Sequence, residues 1–344
     1  MKRSSRLTVN ESNAGKLAVL NDVFDESRRV VNLFIDKLWK DRNFSSRYVT
    51  FKVNTWLSAR LQQALGKQAL EIVKSQRKCK KKTKPSFTGT AFNLDSRFVD
   101  FQYDNNSFDI WIRLSSIGRK ISLRLPAKKH RHFNKFYRDW SMKKSIRLCI
   151  DMGGNYYVET FFEKNAPDTR KTGDSKGIDI GYKKLIVSSD KEFLGDFKIY
   201  EKIARKCQGS KGFKKALVER DEEINKACKL LNLSGVRELV VENLKNVKRG
   251  SKGKIRKSFN NKLQRWSYPK VLEKLSMICE EAGIMFTRVN PAYTSQTCSA
   301  CGFVDKKSRN GESFLCTSCG MSLDADFNAS LNILHGGVYG LATT

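Results

Sequence analysis

Two Cys-x-x-Cys pairs, Cys298/Cys301 and Cys316/Cys319, stand with fourteen residues between them, and a glycine follows each second cysteine (Gly302, Gly320). This segment constrains the fold more than any other. At that spacing each pair forms a tight knuckle whose glycine lets the backbone turn, and two knuckles can close four thiolates into the tetrahedral site of a structural Zn²⁺. Two disulfides or four buried thiols are the other readings. The knuckle glycines favour zinc, as do five further cysteines that are scattered and odd in number (Cys79, Cys149, Cys207, Cys228, Cys279), which suggest a reducing compartment. Directly behind the second pair come Asp324 and Asp326, then a short apolar helix, Ala329 to Leu334.

A chain of 344 residues has room for about two or three domains and a sizeable core. Its 66 Lys+Arg against 35 Asp+Glu leave a net charge of +31. A fold does not need that imbalance and is opposed by it, so the economical partner is a polyanion, nucleic acid before a membrane surface. No apolar run approaches the ~20 residues of a membrane span, and the start MKRSSRLTVNES lacks a signal-peptide hydrophobic region. The expected location is cytoplasmic and nucleoid-associated, of prokaryotic or viral type. Three histidines (His130, His132, His335) are too few and too scattered for a histidine-based site.

In chain order, residues 1–10 read as a strand. Asn13 then caps a long helix to about Trp39, and a second helix covers Asn54 to Lys78, both with apolar residues at helical spacing. The run Lys74 to Lys84 holds seven basic residues and no acid, Lys78, Lys80, Lys81 and Lys82 among them. It reads as a phosphate contact or as a solvated helix end. From Phe98 to Glu163 the period becomes two, which predicts an antiparallel barrel or half-barrel of about five strands. Lys128, Lys129 and Arg131 stud its connections beside Phe133, Phe136, Tyr137 and Trp140. Charges beside rings suit structured RNA or a duplex end, and rings packed inward are the equal alternative. Residues 164–174 look like a polar linker.

Beyond it the order becomes three strands, a charged helix over about Tyr200 to Leu231, a strand at Arg237–Asn243, a helix over about Leu263 to Ala282, a strand at Ile284–Asn290, the cysteine segment and a last helix. This is ribonuclease-H-like order. Asp179 lies in the first strand within GIDIG, Glu242 at the end of the fourth within VVEN, and Asp326 at the start of the last helix. In such a sheet the first and fourth strands are neighbours with the last helix beside them, so the three acids can converge. Converging carboxylates hold Mg²⁺, and two such ions can drive phosphodiester hydrolysis. Taken singly, Asp179 is an acid that needs a partner, Glu242 a solvated strand end, and Asp326 a helix cap; the coincidence favours a site. Asp324 and Asp326, two residues apart, point in different directions, so one faces the metals.

GIDIG, VVENLKNVK, NKLQRWSYPKVLEKLSMICEEAGI, PAYTSQTCSACG and CTSCGMSLDADFNASLNIL resemble the transposon-encoded TnpB nucleases, relatives of type V CRISPR effectors. The resemblance is strong over residues 175–335 and only architectural before them. It implies a RuvC-type site of Asp179, Glu242 and Asp326 with two catalytic Mg²⁺ ions, and a zinc finger of Cys298, Cys301, Cys316 and Cys319. It further implies a guide RNA from the element itself and cleavage of double-stranded target DNA. The implied layout is a wedge strand at 1–10, a helical recognition module at 11–84, a wedge-type β-barrel at 85–165 and a linker at 166–174. A RuvC-like part at 175–292, a zinc-ribbon insert at 293–322 and a final helix and tail at 323–344 follow. The segment Lys245 to Arg265, after Glu242, holds nine basic residues and no acid, and reads as a phosphate-gripping loop through Lys248, Arg249, Lys252, Lys254, Arg256 and Lys257. An RNA-guided DNA-binding repressor that does not cut, and a transposase acting on element ends, are the competing functions.

Overall fold

A computed structural model of the chain describes residues 1–41, 49, 51–80, 82–103, 107–116, 121–151, 153–196, 198–244 and 265–338. The chain divides into two compact units, Met1–Asn165 and Ala166–Thr344.

The first unit opens with β1 (Lys2–Thr8). Helix α1 (Ala14–Lys40) starts where the Asn13 side chain accepts from the Lys16 amide at 3.0 Å, and it buries Leu20, Phe24, Val31, Phe34 and Leu38 along one stripe. Helix α2 (Ala59–Arg77) begins later than its apolar spacing predicts, because Ser58 takes the capping position and accepts from the Leu61 amide. Strands β2 (Ala91–Leu94), β3 (Val99–Tyr103), β4 (Ile110–Ser115) and β5 (Ser122–Ala127) follow, then α3 (Arg131–Tyr137), β6 (Ser141–Ile150) and β7 (Tyr156–Glu163). The expected barrel resolves into two antiparallel sheets, ordered β1-β7-β6-β2 and β3-β4-β5, and the described residues form no closed barrel. Both sheets share one apolar core with α1 and α2. Phe133 and Phe136 are buried in that core, and Tyr137 and Trp140 pack on it, so the rings beside the basic connections face inward.

The second unit is a five-stranded sheet ordered β10-β9-β8-β11-β12. Strands β8 (Asp174–Asp179), β9 (Lys184–Ser188) and β10 (Phe193–Asp196) are antiparallel neighbours, whereas β11 (Val236–Glu242) lies parallel to β8 and β12 (Met285–Val289) parallel to β11. The long helix expected before β11 is two helices, α4 (Lys198–Ala204) and α5 (Lys211–Leu230). Gly209 at φ 87° takes the turn between them, a backbone state open to glycine. Helix α6 (Tyr268–Ala282) precedes β12, and α7 (Ala325–Val338) ends the described chain. The segment 166–174 is a strap rather than a free linker. Its Arg170 guanidinium donates to the carbonyls of Leu233 (3.0 Å), Val236 (2.7 Å) and Ala282 (3.1 Å).

Side-chain alternation in β11 sends Leu239 and Val241 into the core with α5 and α6, and Val240 to the opposite face against Ile333 of α7. Gly177 pairs with Val240 and meets α7 so closely that a Cβ there would lie 2.2 Å from the Ser330 carbonyl oxygen. Asp179 and Glu242 each come two residues after that pair, so both emerge on the α7 face. The described residues include no helix long and apolar enough to cross a membrane.

Candidate metal centre and acidic cavity

The cysteine segment folds as a small ribbon of β13 (Arg309–Asn310), β14 (Ser313–Leu315) and β15 (Ser322–Asp324) carrying two matching knuckles. In one, the Gly302 amide donates to the Cys298 carbonyl (2.9 Å) and the Cys298 amide to the Phe303 carbonyl (2.9 Å). The other repeats this with Gly320 on Cys316 (3.0 Å) and Cys316 on Met321 (2.9 Å). Gly302 and Gly320 adopt φ 75° and 76°, as the turn requires. The four sulfurs lie within 4.8 Å of one another, with Cys298–Cys319 at 3.7 Å and Cys301–Cys316 at 3.6 Å. Those separations are far beyond a disulfide bond of about 2.05 Å. Four bonds of about 2.3 Å to a tetrahedral zinc demand sulfur spacings of about 3.8 Å, so the thiols fit that ion. The Cys319 amide donates to the Cys316 sulfur at 3.4 Å, an arrangement that suits a thiolate. Of the other cysteines, Cys149, Cys228 and Cys279 are buried and Cys79 and Cys207 exposed, apart from this site.

Beside the ribbon lies a cavity of about 420 Å³ whose walls include Asp179, Glu242, Asp326, Arg309 and Trp266. The three acids named by sequence position therefore share one space. Burial drives the Asp179 carboxyl well above its usual range, reinforced by the charges of Glu242 and Asp326, and Arg309 opposes the shift. Burial also raises Glu242, against the Thr294 hydroxyl and Arg309. Asp326 is 7% exposed and receives the Arg309 guanidinium at 2.7 Å. Carboxyls raised by burial and mutual repulsion are short of positive charge, and a hard oxygen donor set of this kind suits Mg²⁺. Asp324 behaves differently. Its Oδ1 accepts from the amides of Asp326 and Phe327, both at 3.1 Å, and its other oxygen meets Lys184, so it caps α7.

Arg309 escapes a reading by sequence because it sits in a charged stretch, KKSRNGE, with nothing to distinguish it from its neighbours. Asn328 carries a signal: a polar residue within the apolar run of the last helix, 0% exposed. Its side chain accepts from the Ser299 amide (2.9 Å) and donates to the Thr297 carbonyl (2.8 Å), tying α7 to the first knuckle. Of the expected nucleic-acid contacts, Lys78, Lys80, Lys82, Lys128 and Arg131 are exposed. Lys129 is half-buried, 4.3 Å from the Tyr137 ring centre and 5.2 Å from that of Tyr103, a cation–π position within the unit. Lys81, Lys248, Arg249, Lys252, Lys254, Arg256 and Lys257 lie outside the described residues.

A family model described as Cas12f1-like, TNB domain, matches residues 268–333, from α6 through the ribbon into α7. The match covers the region from α6 to α7 and leaves the rest of the chain outside it. The chain is 44% identical over 72 residues to the CRISPR-associated endodeoxyribonuclease Cas12f1 of Sulfoacidibacillus thermotolerans, covering 21% of this chain and 17% of that protein. It is 35% identical over 114 residues to a TnpB-like protein of Aquifex aeolicus, covering 32% of this chain and 37% of the relative. These alignments thus span well under half of either relative. A solved Cas12f1–sgRNA–target DNA complex superposes with TM-score 0.58 at 15% identity, covering 93% of this chain and 83% of that one. CasPhi-2 (Cas12j) bound to crRNA and phosphorothioate DNA gives 0.54 at 10%, covering 97% and 91%. At those identities the likeness is one of fold, a mixed α/β architecture.

Proposed function

We propose that this chain is an RNA-guided DNA endonuclease of a mobile element, cutting target DNA complementary to its guide at the Asp179/Glu242/Asp326 cavity with two Mg²⁺ ions. The observation that carries the reading is the meeting of three acids from a strand, a neighbouring strand end and a helix start in one cavity. Relatives named as endodeoxyribonucleases and a related fold seen with guide RNA and target DNA support it.

In this reading Asp179, whose buried carboxyl is strongly disfavoured as a free anion, would hold the metal together with Glu242 and Asp326. Mg²⁺ bound there supplies an activated water and stabilises the leaving 3′ oxygen. The chain's own part is to hold the carboxylates at the wall of the cavity of about 420 Å³. Arg309, paired with Asp326 at 2.7 Å, lines the same cavity and would offer its guanidinium to a phosphate oxygen there. The four thiols hold a structural zinc. The net charge of +31 grips guide and target, with Lys78, Lys80, Lys82, Lys128 and Arg131 among the exposed contacts.

The test is to purify the protein from its host, sequence the RNA that accompanies it, and offer DNA matching the RNA's variable segment. Mg²⁺-dependent cutting that Asp179→Ala abolishes is the expected result. A protein that binds the matched DNA without cutting it would be a repressor, and one that carries no specific RNA would overturn the proposal.

A further inference from the structure

Glu242 ends β11, and the group that touches its carboxylate comes from the turn that leads from β12 into the first knuckle. The Thr294 hydroxyl donates to Glu242 Oε1. The Thr294 hydroxyl oxygen also lies 3.1 Å from the Pro291 carbonyl oxygen. A hydroxyl has a single proton, and an ionised carboxylate is the stronger acceptor, so a charged Glu242 takes the bond.

The turn that presents this hydroxyl is held from several sides. Tyr293 sits at φ 67°, a left-handed backbone state that a non-glycine residue keeps only where its surroundings impose it. Its carbonyl accepts from the amides of Gln296 (2.9 Å) and Thr297 (3.0 Å) and from the Thr297 hydroxyl (2.8 Å). Asn332 of α7 donates to the carbonyls of Thr294 (2.9 Å) and Thr297 (2.7 Å). Asn328, one turn earlier, holds Thr297 and Ser299, and Ser299 follows Cys298 directly. The helix that carries Asp326, the knuckle that carries Cys298 and the hydroxyl on Glu242 are thus joined by continuous hydrogen bonds.

We propose that Thr294 is a positioning residue, its hydroxyl setting the Glu242 carboxylate in the acidic cavity while the turn 293–297 makes that setting depend on the folded zinc knuckle. The inference rests on the reading of the three acids as a metal-holding site. Groups that orient metal ligands are worth about 10–100-fold in metal affinity or activity when removed.

The full chain with its accompanying RNA is compared with Thr294→Val, which keeps the shape and loses the hydroxyl, and with Thr294→Ser, which keeps the hydroxyl. Mn²⁺ binding followed by electron paramagnetic resonance reports the metal site without chemistry, and single-turnover cutting, zinc content and target-DNA binding are measured alongside. Thr294→Val should weaken Mn²⁺ binding and cutting by about 10–100-fold, with zinc and DNA binding as in the parent, and Thr294→Ser should restore both. Parent-like Mn²⁺ binding in Thr294→Val would overturn the proposal. So would a serine variant as impaired as the valine one, or loss of zinc from the valine variant, because the residue would then serve the knuckle's fold. Glu242→Ala separates the two levels. If it is inactive while Thr294→Val is normal, the Thr294 role alone fails; if Glu242→Ala still cuts, the acidic site itself is misassigned.

Discussion

The four thiols and the three carboxylates lie in one unit, yet they are organised in opposite ways. The thiols converge to within 4.8 Å, and among the described residues they are the one group of three or more metal-ligand side chains drawn so close. Backbone turns deliver them, and glycines at φ 75° and 76° make those turns. The carboxylates come from three separate elements and repel one another, so two have taken local partners, Arg309 for Asp326 and Thr294 for Glu242. The contrast is that between four sulfurs closed on one another and three acids facing an open cavity. It predicts that damage to the first appears in folding, and in activity through the turn 293–297, whereas damage to the second appears in activity with the ribbon intact.

Cys316→Ser gives the largest effect. Removing one ligand from a structural zinc site forfeits on the order of 10 kcal/mol in small modules. Zinc should fall from one per chain to none by metal analysis, and amide exchange should become fast in residues 298–324. The five-stranded sheet has its own core and should stay protected. Loss of protection across that sheet as well would show that the ribbon is not a separate folding element.

Gly177→Ala comes next. Its Cβ would meet the Ser330 carbonyl oxygen at 2.2 Å and the Leu334 amide nitrogen at 2.7 Å, backbone atoms that yield only if α7 shifts. Overpacking of this kind costs about 1–3 kcal/mol, to be read from denaturant midpoints. Cutting should fall by more than that stability change explains, because α7 carries Asp326.

A smaller effect is electrostatic. With Asp179 and Glu242 raised by burial, the folded protein without Mg²⁺ keeps protons that the unfolded chain releases from about pH 4 upward. The stability they contribute is therefore complete below that pH and is lost as pH rises through the raised values. Thermal unfolding in Mg²⁺-free buffer should show Tm declining with pH in the parent and declining less in Asp179→Asn. Added Mg²⁺ should raise Tm in the parent more than in the variant. Parallel curves for the two proteins would mean that Asp179 is not under electrostatic strain.

What was legible in the chain follows the same division. Cysteine spacing and the order of strands and helices from β8 to α7 are local patterns, and the elements follow in the expected order, with the one long helix before β11 split in two. The two sheets of the first unit depend on pairings between residues far apart, such as Leu7 with Val158, and strand alternation cannot say whether such sheets close into a barrel. Strand β2 and helix α3 are four and seven residues long, too short for a period to emerge. The Ser58 cap was available as a signal, but the apolar stripe running into it from Trp56 obscured it. Arg309 and Thr294 matter only because a ribbon and a turn cross back over the sheet. Nothing in their own neighbourhoods announces that.

The account turns on which acid beside the ribbon faces the cavity, and Asp324→Ala and Asp326→Ala decide it within one preparation. Asp324 caps α7 through the Asp326 and Phe327 amides, so its loss should lower stability by about 1 kcal/mol and leave Mg²⁺-dependent cutting measurable. Asp326→Ala should abolish cutting of guide-matched DNA while binding of that DNA persists. A dead Asp324→Ala protein beside an active Asp326→Ala protein would contradict the assignment of the acidic site.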